Sequence, residues 1–194
     1  MSDNSVSVSG RRKTILGIAF TALFAALTAG GSFISIPLPF SPVPIVLTNF
    51  FVILAGLVLG PFLGTASIGV YLIAGAIGAP VFAGGSGGFV HFLAPSGGFL
   101  YGYLLAAFSA GFISGRAKPG IKTPAWRIIL GAAAGALILY APGLIQLKLV
   151  TGLNWKGTFM AGFVPFLIGD AVKVLGAALI SPRLRSIAAA ELEQ

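Results

Sequence analysis

The 102 residues from Thr14 to Gly115 contain no aspartate, glutamate, lysine or arginine. A chain that folds in water cannot run so far without charge and still present a solvated surface, because ordinary globular sequences carry about 25% charged residues. Over all 194 residues the charged fraction is 8% and the hydrophobic fraction 57%, and the mean hydropathy is +1.01. These values predict an all-α integral membrane protein. A hydrocarbon core about 30 Å thick takes roughly 20 apolar residues per helix, so the chain has room for about six spans and for no large soluble domain. The first apolar run follows Arg11, Arg12 and Lys13 in the manner of a secretory signal. No A-x-A-like cleavage site follows it, and it is expected to be a retained span.

Proline, glycine and charge punctuate the apolar runs into six expected transmembrane helices: 14–31, 45–59, 62–78, 97–115, 126–147 and 159–181. They form one membrane domain over residues 1–194. Little more than Gly60 and Pro61 separates the second from the third, which predicts a tight helical hairpin or a kinked pair. Alternating the sides of six spans places Arg11, Arg12, Lys13, Arg116, Lys118, Lys122, Arg127, Arg183 and Arg185 on one side and only Lys148 and Lys156 on the other. Nine against two makes the first side cytoplasmic, with both termini. The net charge of +8 then reflects orientation and contact with anionic lipid, and no nucleic-acid partner is expected. The Pro-rich stretch Ile36 to Pro44, the stretch Ala79 to Ser96 and the stretch Lys148 to Thr158 fall outside. The apolar loop Pro80-Val81-Phe82-Ala83 is expected to cap a pocket, since irregular backbone at membrane depth must be buried or line a cavity.

Asp170 and Lys173 are the sharpest candidates for binding. Spacing of i, i+3 puts both on one face of the last span, and ionised groups within a span are costly enough to mark a pathway or a ligand. The same spacing also suits an intrahelical salt bridge. Thr48 and Asn49 stand just inside the second span, where an amide suits a small polar ligand and equally suits a bond between helices; Tyr140 and Gln146 on the fifth span are of the same kind. Gly84-Gly85-Ser86-Gly87-Gly88 lets backbone approach a ligand closely and lets the loop act as a lid. Its letters also match the G-x-S-x-G elbow of serine hydrolases, but that motif needs a strand before it and a helix after it, so an intramembrane enzyme built on Ser86 and His91 is disfavoured. No metal site is expected, because the chain has no cysteine and a single histidine, His91. Without a Gly-Lys step anywhere there is no P-loop, and any active transport must borrow its energy. Small-residue steps at Ala22/Ala26, Gly98/Gly102, Gly111/Gly115 and Gly131/Gly135 allow close helix packing, within the molecule or with a partner.

In order along the chain, Pro42-Val43-Pro44-Ile45, Leu54-Ala55-Gly56, Leu59-Gly60-Pro61, Gly78-Ala79-Pro80-Val81-Phe82-Ala83-Gly84-Gly85-Ser86-Gly87-Gly88, Pro95-Ser96-Gly97-Gly98 and Gly169-Asp170 with Lys173 resemble the BioY family, the biotin-specific S components of energy-coupling factor transporters. The resemblance implies a six-helix S-component bundle in a bacterial or archaeal cell membrane, with biotin as ligand, no cofactor, and a pocket near the outer face beneath the loop between the third and fourth spans. It places Lys173 at the biotin carboxylate, Asp170 at the ureido ring, and Ser86 and Asn49 as further polar contacts, with Phe82 or Phe89 against the apolar ring; the residues themselves add Thr48, Gly85, Gly87, His91, Tyr140 and Gln146 to the candidate binding set. It implies that Ala22 and Ala26 dock a T component, itself driven by two ATPases. Thr48, Ser86 and Leu100 stand where relatives carry glutamine, asparagine and arginine, which leaves Lys173 as the expected anchor of a carboxylate. A proton-coupled secondary transporter of a small carboxylate vitamin, with Asp170, Lys173 and His91 as its relay, is the alternative.

Overall fold

The computed structural model describes the backbone of residues 3–193 and the side chains of residues 11–192. Its elements in chain order are α1 (Asp3–Phe33), β1 (Ser35–Leu38), β2 (Ser41–Val46), α2 (Thr48–Ala76), α3 (Val90–Leu93), α4 (Gly97–Ser114), α5 (Ala125–Ile138), α6 (Tyr140–Thr151), α7 (Trp155–Gly162) and α8 (Leu167–Glu193). Among the described residues five helical stretches are long and apolar enough to cross a membrane. One of them, α2, is folded back on itself, which makes six.

Gly60 makes that fold. Its φ of +80° and ψ of −177° lie where a side chain is strained, and Pro61 then opens the second arm, a position at which its missing N–H costs nothing. The arms 48–59 and 61–76 run antiparallel. A Cβ on Gly64 would sit 2.8 Å from both the Ala55 carbonyl oxygen and the Gly56 Cα. At 1.5 Å per residue the arms are about 18 and 24 Å long, less than a bilayer core. They are accommodated because the longer helices enclose them: Val52, Ala55 and Leu57 are fully buried.

The expected outer loop at Ile36 to Pro44 is a β-hairpin, with Ser35 opposite Val46 and Leu38 opposite Ser41. Prolines at 37, 39, 42 and 44 exclude a helix, and a two-stranded ribbon is all edge, where residues without an N–H are tolerated. Ser41 Oγ donates to the Ala161 carbonyl at 2.7 Å, and the Leu47 N–H donates to Gly31 and Ile34 carbonyls at 3.2 Å, so the hairpin is tied to α7 and to the end of α1.

Two expected spans are not continuous. The fifth is interrupted at Leu139, between α5 and α6, where Pro142 has no N–H to offer the carbonyl one turn back. The last breaks at Phe163 (φ −132°, ψ −58°) and passes through a 3-10 turn at Val164–Phe166 before α8 begins. Pro165 is the cause. The break leaves Asp170 in the first turn of α8, where the positive end of the helix dipole favours a carboxylate.

Glycines set how closely the helices approach. A Cβ on Gly56 would strike the Ala107 backbone, one on Gly98 the Pro142 carbonyl, and one on Gly131 would lie 2.8 Å from the Ala110 carbonyl oxygen. Outward-facing Phe62, Ile73, Leu149 and Leu179 leave a belt that lipid solvates. At one end of the bundle Arg185, 3% exposed, ties three elements together. Its guanidinium donates to the carbonyls of Leu57, Ser114 and Gly115, to Ser114 Oγ and to Thr123 Oγ1.

Candidate functional site

At the end of the bundle remote from Arg185, the two arms of α2, α4, the junction of α5 with α6, and the start of α8 enclose a cavity of about 710 Å³, counting its open mouth. Its charged wall is a connected set of four side chains. Asp170 Oδ1 accepts from Asn49 Nδ2 at 2.8 Å and from Lys173 Nζ at 3.0 Å, and Oδ2 accepts a short hydrogen bond from the Tyr140 hydroxyl. Lys173 Nζ also donates to Asn49 Oδ1 at 2.9 Å. The lysine side chain is 11% exposed. Each member orients the others: the carboxylate holds three donors from three elements, and the amide of Asn49 bridges both charges. An ammonium carries three N–H groups and two are engaged here, so one remains for a ligand. Among the described residues Lys173 is the one lysine or arginine on the cavity wall.

The opposite wall is aromatic. Phe82 is buried and edge-on to Tyr71 (5.6 Å between centroids), His91 (5.6 Å) and Phe92 (5.8 Å). A Cβ on Gly75 would strike the Phe82 ring, so that glycine makes the seat. The loop bearing Phe82 is held by bonds between the backbones of Phe82 and Ser86 and by the Gly88 N–H on the Gly75 carbonyl at 2.7 Å. Ala83 follows Phe82 onto the wall. Around Tyr140, Phe99 and Phe163 stand edge-on at 5.9 and 4.7 Å and fix the direction of its hydroxyl.

Of the residues singled out from sequence, Thr48, Asn49, Phe82, His91, Tyr140, Asp170 and Lys173 meet around this cavity. The structure puts the others elsewhere. Ser86 Oγ donates to the Ala83 carbonyl at 2.9 Å within its own turn. Gly85 (φ +74°) shapes that turn, and a Cβ on Gly87 would strike the Ala79 carbonyl. Gln146 Nε2 donates to the Phe92 and Ala94 carbonyls at 2.7 and 2.9 Å, fastening the end of α3 to α6. These four support the loop rather than line the cavity. Sequence reasoning passed over Tyr71, Tyr103 and Phe99, which do line it. For the two tyrosines the signal available was the hydroxyl itself, a polar group inside an apolar span that needs a partner; Phe99 carried none.

Residues 4–190 match the family model for BioY. The chain belongs to the BioY family. It is 42% identical over 168 residues to a probable biotin transporter BioY of Pyrococcus horikoshii, covering 87% of this chain and 95% of that one. Against the biotin transporter BioY of Thermotoga maritima it is 39% identical over 165 residues, covering 85% and 93%. The fold matches a crystal structure of the S-component for biotin from an ECF-type ABC transporter with a TM-score of 0.79 and 28% identity, over 95% of this chain and 94% of that one. The chain is thus a multi-pass membrane protein of a transporter family and not an enzyme. The G-x-S-x-G letters are a coincidence of a glycine-rich turn, in which Ser86 spends its hydroxyl on a carbonyl.

Proposed function

We propose that this chain is the S component that captures biotin at the outer face of the cell membrane for ATP-driven uptake. The observation that carries the reading is Lys173, held by Asn49 and Asp170 at the cavity wall with one N–H unspent. Biotin presents a carboxylate, two ureido N–H donors and an apolar thiophane ring. Lys173 takes the carboxylate. A ligand anion beside Asp170 brings two negative charges together, and Lys173 with the positive end of the α8 dipole offsets them. Asp170 already accepts three hydrogen bonds, so its first duty is to hold Lys173, Asn49 and Tyr140 in place. The hydroxyls of Thr48 and Tyr71, on the same cavity, are then the acceptors for the ureido N–H groups, and the rings of Phe82 and Phe99 cover the thiophane.

Ala22 and Ala26 lie one turn apart on the exposed face of α1, and nothing lies within 4 Å of the Cβ position of Gly30 a further turn on. A second helix can approach closely there, which suits docking of a T component that carries two ATPases. Equilibrium binding of biotin to the purified, detergent-solubilised protein tests the first part: nanomolar-range binding lost in Lys173→Met supports it, and no binding by folded protein overturns it. Uptake in cells tests the second. It should persist when the proton gradient is collapsed and stop when ATP is depleted; the reverse result would favour a proton-coupled carrier.

A further inference from the structure

We infer that the arginine-rich end of the bundle carries a built site for the headgroup of an anionic phospholipid of the inner leaflet. The site is a groove between the loop 115–124 and the turn of α8 at Pro182 to Ser186. Lys118, Lys122 and Arg185 line it together with Thr123, and Ile121, Ile128 and Pro182 supply apolar wall. The empty space within it is about 1000 Å³, counting its open side. Among the described residues no carboxylate lines it.

Arg185 is the reason to read a site rather than a diffuse basic surface. It is 3% exposed, and its hydrogen bonds go to carbonyl and hydroxyl oxygens, none of them charged. Its Nε is the one buried side-chain nitrogen or oxygen among the described residues without a partner. A buried cation with no carboxylate among its partners is costly, and a phosphate brought into the groove that Arg185 lines supplies the counter-charge. Lys118 and Lys122 are exposed on the rim: Lys118 opens a tight turn closed by the Ile121 N–H on its carbonyl at 3.3 Å, and Lys122 follows that turn. They stand where ammonium groups can close over a bound phosphate.

The apolar wall decides between sources of phosphate. A free ion gains nothing from Ile121, which is 66% exposed, or from the neighbouring Trp126, 63% exposed. A phospholipid places glycerol and acyl chain against them, and a tryptophan at this depth belongs at the headgroup level. The nine-to-two distribution of lysine and arginine puts this end in the cytoplasmic leaflet, where anionic lipid is concentrated. The inference stands apart from the identity of the ligand in the outer cavity.

The test is lipid retention by the purified full chain. Native mass spectrometry in detergent, titrated with dioleoyl phosphatidylglycerol and separately with dioleoyl phosphatidylcholine, gives the preference for the anionic lipid. The comparison uses K118Q/K122Q against R116Q/R183Q, which makes the same change of charge on the same side of the membrane at residues that flank the groove without lining it. The expected result is a preference of about 10-fold or more in the wild type, in line with the attraction of each basic residue to an anionic surface, lost in K118Q/K122Q and kept in R116Q/R183Q. Equal losses in the two doubles would reduce the site to diffuse electrostatics and overturn the proposal. So would displacement of the retained lipid by millimolar inorganic phosphate, which would make the site one for a free anion. Equal retention of both lipids together with loss of T-component co-purification in K118Q/K122Q would make the groove a protein interface, and would overturn it as well. Biotin affinity should be unchanged in both doubles, so failure of this proposal is separable from failure of the outer cavity.

Discussion

The two ends of the bundle each bury a cation, and they do so by different chemistry. Lys173 is neutralised by a carboxylate and steadied by an amide, whereas Arg185 is surrounded by backbone carbonyls of other elements. The first arrangement is a compact, mutually oriented set beside an open cavity. The second uses the fork of a guanidinium to close the ends of the first arm of α2 and of α4, whose last carbonyls have no partner within their own helices. A lysine could not span them. At the outer cavity the buried polar set is thus arranged around a ligand, whereas the hydrogen bonds of Arg185 first tie the fold together.

If that contrast is right, Arg185→Met has the largest effect on stability and little on ligand affinity. Three carbonyls lose a charged donor, at about 1 kcal/mol or more each, so the folded state should lose about 3 kcal/mol. Thermal melting in detergent reads the loss, and biotin affinity of the fraction that remains folded should match the wild type. A stable variant with impaired binding would break the comparison at its base.

Lys173→Met should do the converse for affinity, with a loss of about 100-fold or more, corresponding to a lost charged hydrogen bond and an uncompensated carboxylate. It should also destabilise, because Asp170 is left charged and buried. The double variant D170L/K173M separates the two effects. Replacing a buried ion pair with apolar side chains is often neutral or stabilising, so melting temperature should recover while binding stays lost. If binding recovers too, the pair is not part of the ligand site.

Tyr140→Phe sharpens the comparison further. Its hydroxyl donates to the same carboxylate that steadies Lys173. Removing it should weaken biotin binding about 10-fold through loss of positioning, the scale of one hydrogen bond to a charged group. Tyr140→Phe should leave the aromatic wall intact, since the ring still stands between Phe99 and Phe163. A deficit shared equally by ligands without a carboxylate would point to the ring's fit in place of the hydroxyl.

Asp170 and Lys173 were legible in the sequence because charge in an apolar run is conspicuous, and the fold at Gly60 because glycine and proline interrupt two short runs. Arg185 was counted only as an orienting charge. Near a helix end an arginine reads as solvated, and nothing local shows that Leu57 and Ser114 come to meet it. Tyr71, Tyr103 and Phe99 were hidden for a different reason. In a soluble helix polarity marks which face is buried, but here lipid makes every face apolar, so periodicity cannot tell cavity wall from membrane surface. The break at Phe163 was not anticipated, since the expected span ran through Pro165, and only the surrounding bundle shows that the freed backbone sits beside the cavity.

The smallest effect is expected at a residue that sequence made conspicuous. Ser86 sits among four glycines, as a contact or a nucleophile would, yet its hydroxyl bonds the Ala83 carbonyl inside a turn that backbone bonds between Phe82 and Ser86 already close. Ser86→Ala removes one neutral hydrogen bond at a half-exposed position, worth about 0.5–1 kcal/mol. Biotin affinity should change by no more than about 2- to 3-fold, because Phe82 remains seated on Gly75. A loss comparable with that of Lys173→Met would mean that Ser86 turns into the cavity when ligand arrives, and that the glycines around it serve movement more than shape.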